Sequence, residues 1–113
     1  MANPIVKLEI PPNTPKDNPV VVELEIKEPI IRSISIFIPP GVWALAGIQI
    51  KYGPDQFFPE PEGEWFVGSG ESITFDVYWK APEKPTKIKI LGYNEDDTYP
   101  HTYFIRFHTC PIE

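Results

Sequence analysis

The chain has 113 residues, of which 42% are hydrophobic and 23% are charged, so we expect one globular domain with its own core. Its 15 prolines disfavour long helices, because proline removes a backbone donor and clashes with the preceding turn. A net charge of -6 disfavours nucleic acid and anionic membrane surfaces as partners, because like charges repel.

The first part of the chain is predicted to form short strands that end at prolines. Alternation of apolar and polar residues predicts strands over residues 6–10, 20–27 and 33–38. Phe37 is an exception, because it falls on the polar face of its strand. Residues 1–12 are interpreted as an edge strand or as an arm that pairs with a neighbouring subunit.

The middle of the chain contains the clearest strand. Residues 42–52 resemble a helix start, but the alternation around Ile48 and Ile50 favours a strand. Residues 53–63 are predicted to be a surface loop with a short bridge at 56–58. Residues 73–80 alternate without a break, and the Gly-Ser-Gly sequence before them predicts a tight turn that pairs residues 65–67 with the start of this strand.

The last part of the chain predicts two more strands around an acidic turn. A strand is expected over residues 87–92, followed by a turn over 94–100 and a final strand over 101–109. With about seven to nine strands and no convincing helix, residues 1–113 are predicted to form an all-β fold. The expected architecture is a single antiparallel β-sandwich with Pro-rich loops, of either the jelly-roll or the immunoglobulin-like type.

Few residues are of types that could bind a metal ion or catalyse a reaction. His101, His108 and Cys110 are metal-ligand types, but only the last two share a strand face, so the alternative is two surface histidines and an inert thiol. Glu95 and its two following aspartates lack the spacing of a calcium loop and are interpreted as a solvated turn. Ser69 is interpreted as a turn residue. We therefore expect no catalytic residue, no metal, no cofactor and no enzymatic activity.

The single cysteine cannot form an internal disulfide, which implies either a reducing compartment or a fold that is indifferent to redox state. The N-terminal residues lack the basic and apolar segments of a signal peptide. Synthesis in the cytoplasm without a signal peptide is therefore the expectation, and later incorporation into a particle stays compatible with it.

Aromatic residues in predicted loops and on polar faces indicate a binding surface. The candidate interface residues are Trp43, Phe57, Phe58, Trp65, Tyr99 and Phe104, with Tyr78 as a further exposed aromatic residue. Three interpretations are open: a subunit interface, a lid formed by the loop around Phe57 and Phe58, or a sugar-stacking platform. The hydrogen-bonding neighbours of such a platform would be Asp55, Gln56 and Glu64.

The run IPPGVWALAGIQIKYGPDQFFPEPEGEWFVGSGESITFD, followed by LGYNEDDTYPHTYFIRF, resembles small β-rich proteins of phage virions, such as capsid-decorating or tail-associated proteins. The shared features are a turn after Pro-Pro-Gly, a Pro-rich aromatic loop before Trp65, and the N-x-D-D-x-x-x-H run that starts at Asn94. The resemblance implies a structural protein that self-associates or docks on a larger assembly, without inserting into membranes. A module that binds carbohydrate or another surface ligand is the alternative.

Overall fold

The chain folds into two antiparallel sheets that pack face to face. The computed structural model describes residues 4–39, 45–53, 55–59, 63–68, 70–82 and 86–110, and these contain nine strands and no helix. The strands are β1 (Ile5–Ile10), β2 (Val20–Ile26), β3 (Ile30–Ile38), β4 (Ala46–Tyr52), β5 (Asp55–Phe58), β6 (Phe66–Val67), β7 (Glu71–Lys80), β8 (Thr86–Asn94) and β9 (His101–Cys110). The predicted all-β sandwich is therefore confirmed.

The pairing of the strands defines the topology. One sheet has the order β1-β9-β3-β7, and the other has the order β2-β8-β4-β5, with β6 also paired to β4. Strand β1 pairs with β9, β2 with β8, β3 with β7, and β4 with β5, so the pairings nest like those of one long hairpin that has been rolled up. This is the jelly-roll arrangement, and it decides between the two types that the sequence leaves open.

The core lies between the sheets and is built from alternate residues of each strand. In β1 and β9 every second residue is buried, which is the pattern that the alternation predicts. Gly92 of β8 faces β1 so closely that an added Cβ would lie 2.6 Å from Cδ1 of Ile10. The fully buried residues with the largest side chains are Tyr103, Phe107, Leu8, Ile10, Ile26, Ile30, Ile31, Ile34, Ile36, Ile38, Ile48 and Ile50.

A buried tyrosine joins the two sheets. Tyr103 lies in the middle of the core on β9, and its hydroxyl donates a hydrogen bond of 2.8 Å to the carbonyl of Ala46 on β4. The acceptor belongs to the opposite sheet, so this bond fixes the position of one sheet relative to the other. A buried hydroxyl needs such a partner, because burial without one costs free energy.

The predicted pairing of residues 65–67 with the start of β7 is wrong. Phe66 and Val67 instead pair with Ile48 and Gly47 of β4, which places them in the other sheet. The ring of Phe66 packs against Phe75, at a centroid distance of 5.1 Å, and such contacts across the core override the local turn signal. Gly70, with a φ of 63°, lies where the chain crosses between the sheets, and Ser69 lies outside the described residues.

Two further expectations concern the strand ends. The strand predicted over residues 42–52 is confirmed from Ala46 to Tyr52, whereas residues 42–44 lie outside the described part of the chain. The first strand is an edge strand of the four-stranded sheet and pairs over six residues, from Ile5 to Ile10, with β9 of the same chain. Exchange of this strand between subunits stays a prediction.

Candidate functional site

An apolar patch lies on the outer face of the four-stranded sheet. Ile5 and Phe37 are 56% and 46% exposed, and Phe104 is half-buried beside them. The rings of Phe37 and Phe104 have centroids 5.9 Å apart. A hollow of about 240 Å³ is lined by these two rings together with Ile5 and Arg106. We call Ile5, Phe37 and Phe104 the outer patch.

The strand register brings the outer patch together. Phe104 of β9 lies directly opposite Phe37 of β3 on one side and opposite Lys7 of β1 on the other. Arg106 lies opposite Ile5, two residues further along β9. Successive residues of a strand point to opposite faces, so these side chains all lie on the face that points away from the core. The predicted placement of Phe37 and Phe104 on the polar face is confirmed.

A polar network borders the outer patch. The hydroxyl of Ser35 lies 2.9 Å from Nε2 of His108 and 2.9 Å from the hydroxyl of Thr74. A serine beside a histidine can act as a nucleophile, but acyl transfer also needs N–H donors aimed at the substrate oxygen. Ser35 lies on β3, which has a paired strand on each side, so the backbone N–H groups around it are used in pairing within the sheet. The arrangement therefore favours a structural role, in which the side chains join three neighbouring strands of the sheet.

The aromatic residues of the Pro-rich segment close one side of the sandwich. Phe58 is only 6% exposed, so the expectation that it lies on the surface is wrong. Its ring packs against Phe66 and Phe75, with centroid distances of 5.7 and 5.2 Å. Phe57 stacks on Trp79, with centroids 4.6 Å apart and an angle of 8° between the rings. These contacts support the interpretation of this segment as a lid.

A cleft of about 540 Å³ remains beside the lid, between β5 and β7. Gln56 is one of its lining residues, and its side-chain amide is occupied by its own loop. The amide nitrogen donates to the carbonyls of Pro59 and Glu64, and the amide oxygen accepts from the backbone N–H of Gly63. A sugar would have to compete with these bonds and with the Phe57–Trp79 stack, so the geometry gives the sugar platform little support.

The remaining candidate residues lie elsewhere. Trp65 is half-buried and packs edge-on against Tyr93, with centroids 4.8 Å apart, on the outer face of the other sheet. Tyr99 is 65% exposed in the turn between β8 and β9. Trp43 lies outside the described residues. The predicted interface residues therefore occupy separate surfaces, and Ile5 and Arg106 join Phe104 instead.

The acidic turn is held by its own side chains. Asn94 is fully buried and donates to the carbonyls of Ile10 and Tyr99. Asp96 accepts hydrogen bonds from the backbone N–H groups of Thr98 and Tyr99, and lies 2.9 Å from Nε2 of His101. His101, the first residue of β9, is buried against the turn, and the expectation of two surface histidines is wrong for this residue. These contacts give the Asn, Asp and His residues of the N-x-D-D-x-x-x-H run a structural role in the turn.

The Asp96 carboxylate makes the stability of the turn depend on pH. The backbone N–H of Thr98, with the His101 side chain and the N–H of Tyr99, lowers the pKa of Asp96 below its usual value. A carboxyl with a lowered pKa in the folded state stabilises the fold above its unfolded pKa, and the contribution is lost as the pH falls through the folded value. The loss is expected below about pH 4.

We therefore expect Asp96→Asn to reduce the acid sensitivity of the fold. Thermal melting from neutral to acidic pH should show a smaller loss of stability below about pH 4 in the variant than in the wild type. Asp97→Asn is the control, because it makes a similar change at the neighbouring residue, whose carboxylate accepts a hydrogen bond from the Thr98 hydroxyl. Identical pH profiles for wild type and Asp96→Asn would contradict this role of Asp96.

In the part of the chain that the structure describes, no group of three or more His, Cys, Asp and Glu side chains is arranged to hold a metal ion. The same residues include no helix with the length and apolar character needed to cross a membrane. The sequence matches no protein-family model and has no significant match among curated proteins.

Proposed function

We propose that the protein is a non-enzymatic structural domain that self-associates and becomes part of a larger protein assembly. The observation that carries the proposal is the outer patch. The outer face of an antiparallel sandwich is ordinarily polar, because it faces water. Here that face presents Phe37 and Ile5, both about half exposed, together with Phe104.

The composition of the outer patch suits a contact between proteins. Aromatic residues and arginine are enriched at such contacts, and Arg106 lies beside the rings and helps to line the hollow. The same patch on two copies can meet across a twofold axis, which buries the aromatic rings of both copies at once. A second copy of the chain is therefore the proposed occupant of the outer patch.

A virion is the proposed setting. The resemblance to small β-rich phage proteins supports it, and jelly rolls recur among viral capsid domains. The same topology also occurs in lectins, so this support is an analogy at the level of the fold. Genes for capsid or tail proteins next to the gene for this chain are the expected finding, and a cellular metabolic gene cluster would contradict the setting.

The absence of enzymatic activity is part of the proposal. This part is supported by the contacts of the side chains that could transfer protons. His101 and Asp96 hold the turn between β8 and β9, and His108 bonds to Ser35 on a sheet face whose backbone donors are paired. These positions give structural roles to both histidines.

Replacing the outer patch tests the proposed self-association. The variant Phe37→Ser/Phe104→Ser is expected to sediment at a lower average mass than the wild type. Loss of two aromatic anchors should weaken association by at least about tenfold, which corresponds to ~1.4 kcal/mol. Sedimentation velocity at several concentrations measures the effect, and circular dichroism checks that the variant is folded.

The matched control is Val21→Ser. Val21 is 50% exposed and lies on β2 of the other sheet. The substitution therefore removes an apolar side chain about as accessible as Phe37 from a different surface. This control should sediment like the wild type. The proposal is contradicted if the double variant and the wild type show the same mass at every concentration.

A further inference from the structure

We propose that β7 pairs edge to edge with β7 of a second copy of the chain, in the antiparallel sense, and joins the two four-stranded sheets into one. This contact uses a different surface from the outer patch. It goes beyond the proposed function because it specifies a second interface, its partner strand and its register.

The edges of the sandwich differ in how they resist strand addition. Natural proteins protect sheet edges with prolines, charges and short strands. Strand β1 lies between Pro4 and Pro11, and β2 lies between Pro19 and Pro29. Strand β5 has four residues and is followed by Pro59. Strand β7 has ten residues and contains no proline, and it is the end strand of its sheet.

The side chains of β7 show that this edge is incompletely covered. Its inward residues Phe75, Val77 and Trp79 are half-buried, whereas Ile34 and Ile36 on the neighbouring strand β3 are at most 1% exposed. The 540 Å³ cleft lies along this edge and is lined by residues of β7. An added strand would therefore cover apolar surface as well as pair with the backbone.

The charges of β7 favour a second copy as the occupant. Asp76, Tyr78 and Lys80 lie on the same outward face and are all exposed. Pairing centred on Asp76 would place two carboxylates opposite each other, which is unfavourable. Pairing centred on Tyr78 instead places Asp76 of each copy opposite Lys80 of the other, which forms two opposite-charge pairs. The strand is thus complementary to itself in this register.

The experiment isolates this edge by starting from the Phe37→Ser/Phe104→Ser protein, whose outer patch is removed. Edge pairing alone should then give a species of twice the 12.9 kDa chain mass in sedimentation velocity. Adding Asp76→Lys places a lysine opposite Lys80 in both cross-strand pairs and should convert this dimer to monomer. Adding Lys80→Asp as well restores opposite charges and should restore the dimer. Glu9→Lys makes the same charge change on the exposed face of edge strand β1 and should leave the dimer intact.

The outcomes separate the two interfaces. A monomeric starting protein, a dimer that persists with Asp76→Lys, or a charge exchange that fails to restore the dimer each overturns the β7 pairing. Equal masses for the wild type and the Phe37→Ser/Phe104→Ser protein overturn the outer patch alone. A dimer that responds to the charge changes as described supports the β7 pairing whichever way the patch experiment ends.

Discussion

Replacing Phe107 with alanine is expected to destabilise the fold by about 3–5 kcal/mol, the usual cost of removing a core aromatic ring. Phe107 is fully buried on β9, directly opposite Ile34 of β3. Both strands lie inside their sheet, so the backbone on either side is held by pairing and cannot easily close the cavity. The loss would be a large fraction of the roughly 5–15 kcal/mol that stabilises an ordinary domain.

The control for Phe107→Ala is its neighbour on the same strand. Arg106 points to the opposite face and is exposed, so Arg106→Ala should change stability by no more than about 0.5 kcal/mol at concentrations where the chain is monomeric. Urea unfolding of the two variants measures both values. Similar losses for the two would mean that the inward and outward faces of β9 are assigned incorrectly.

Replacing Tyr103 with phenylalanine is expected to cost about 1–3 kcal/mol, although only one oxygen is removed. The hydroxyl donates to the carbonyl of Ala46 across the core, and Ala46 is itself fully buried. Without that donor, the carbonyl keeps one fewer partner in a place that water does not reach. The effect should therefore exceed that of removing a hydroxyl from the surface.

Tyr99→Phe provides the surface comparison for Tyr103→Phe. Tyr99 is 65% exposed in the turn between β8 and β9, outside both proposed contacts, so the loss of its hydroxyl should change stability by no more than about 0.5 kcal/mol. Thermal and urea unfolding of the two variants under identical conditions measure the difference. Equal effects would show that the bond between the sheets contributes little to stability.

The sequence is sufficient to predict most of the strands, because a period of two residues requires no knowledge of the partner strand. Strand β5 is an exception, because it lies in a segment that is predicted to be a loop with a short bridge at 56–58. The alternation of Ile73 to Lys80 and of His101 to Thr109 is observed as predicted. The choice of a jelly roll needs the pairing of strands that are far apart in the chain, such as β1 with β9. That pairing is determined by how the two faces pack together, which no single stretch of sequence contains.

The same limit applies to the surfaces that are proposed as contacts. Phe37 and Phe104 each stand out in the sequence as aromatic residues on polar faces, but only the pairing of β3 with β9 makes them neighbours. Phe58 belongs to a proline-rich segment that looks like an exposed loop, and it is buried because its ring meets Phe75 across the core. The edge position of β7 likewise depends on the order of strands in the sheet.

The two proposed contacts have different consequences for assembly. The outer patch brings two copies together face to face, whereas pairing of β7 extends a sheet sideways. A twofold contact of either kind alone closes as a dimer, but two different twofold contacts on one chain can link many copies. A structural protein of a large particle needs such repeated contacts, which is why both surfaces fit the proposed function.

Sedimentation velocity of the unmodified protein over a wide range of concentrations is the decisive test of the proposed self-association. The predicted result is a species heavier than the 12.9 kDa chain, with a population that grows as concentration rises. A single species at the mass of one chain at every concentration would contradict self-association.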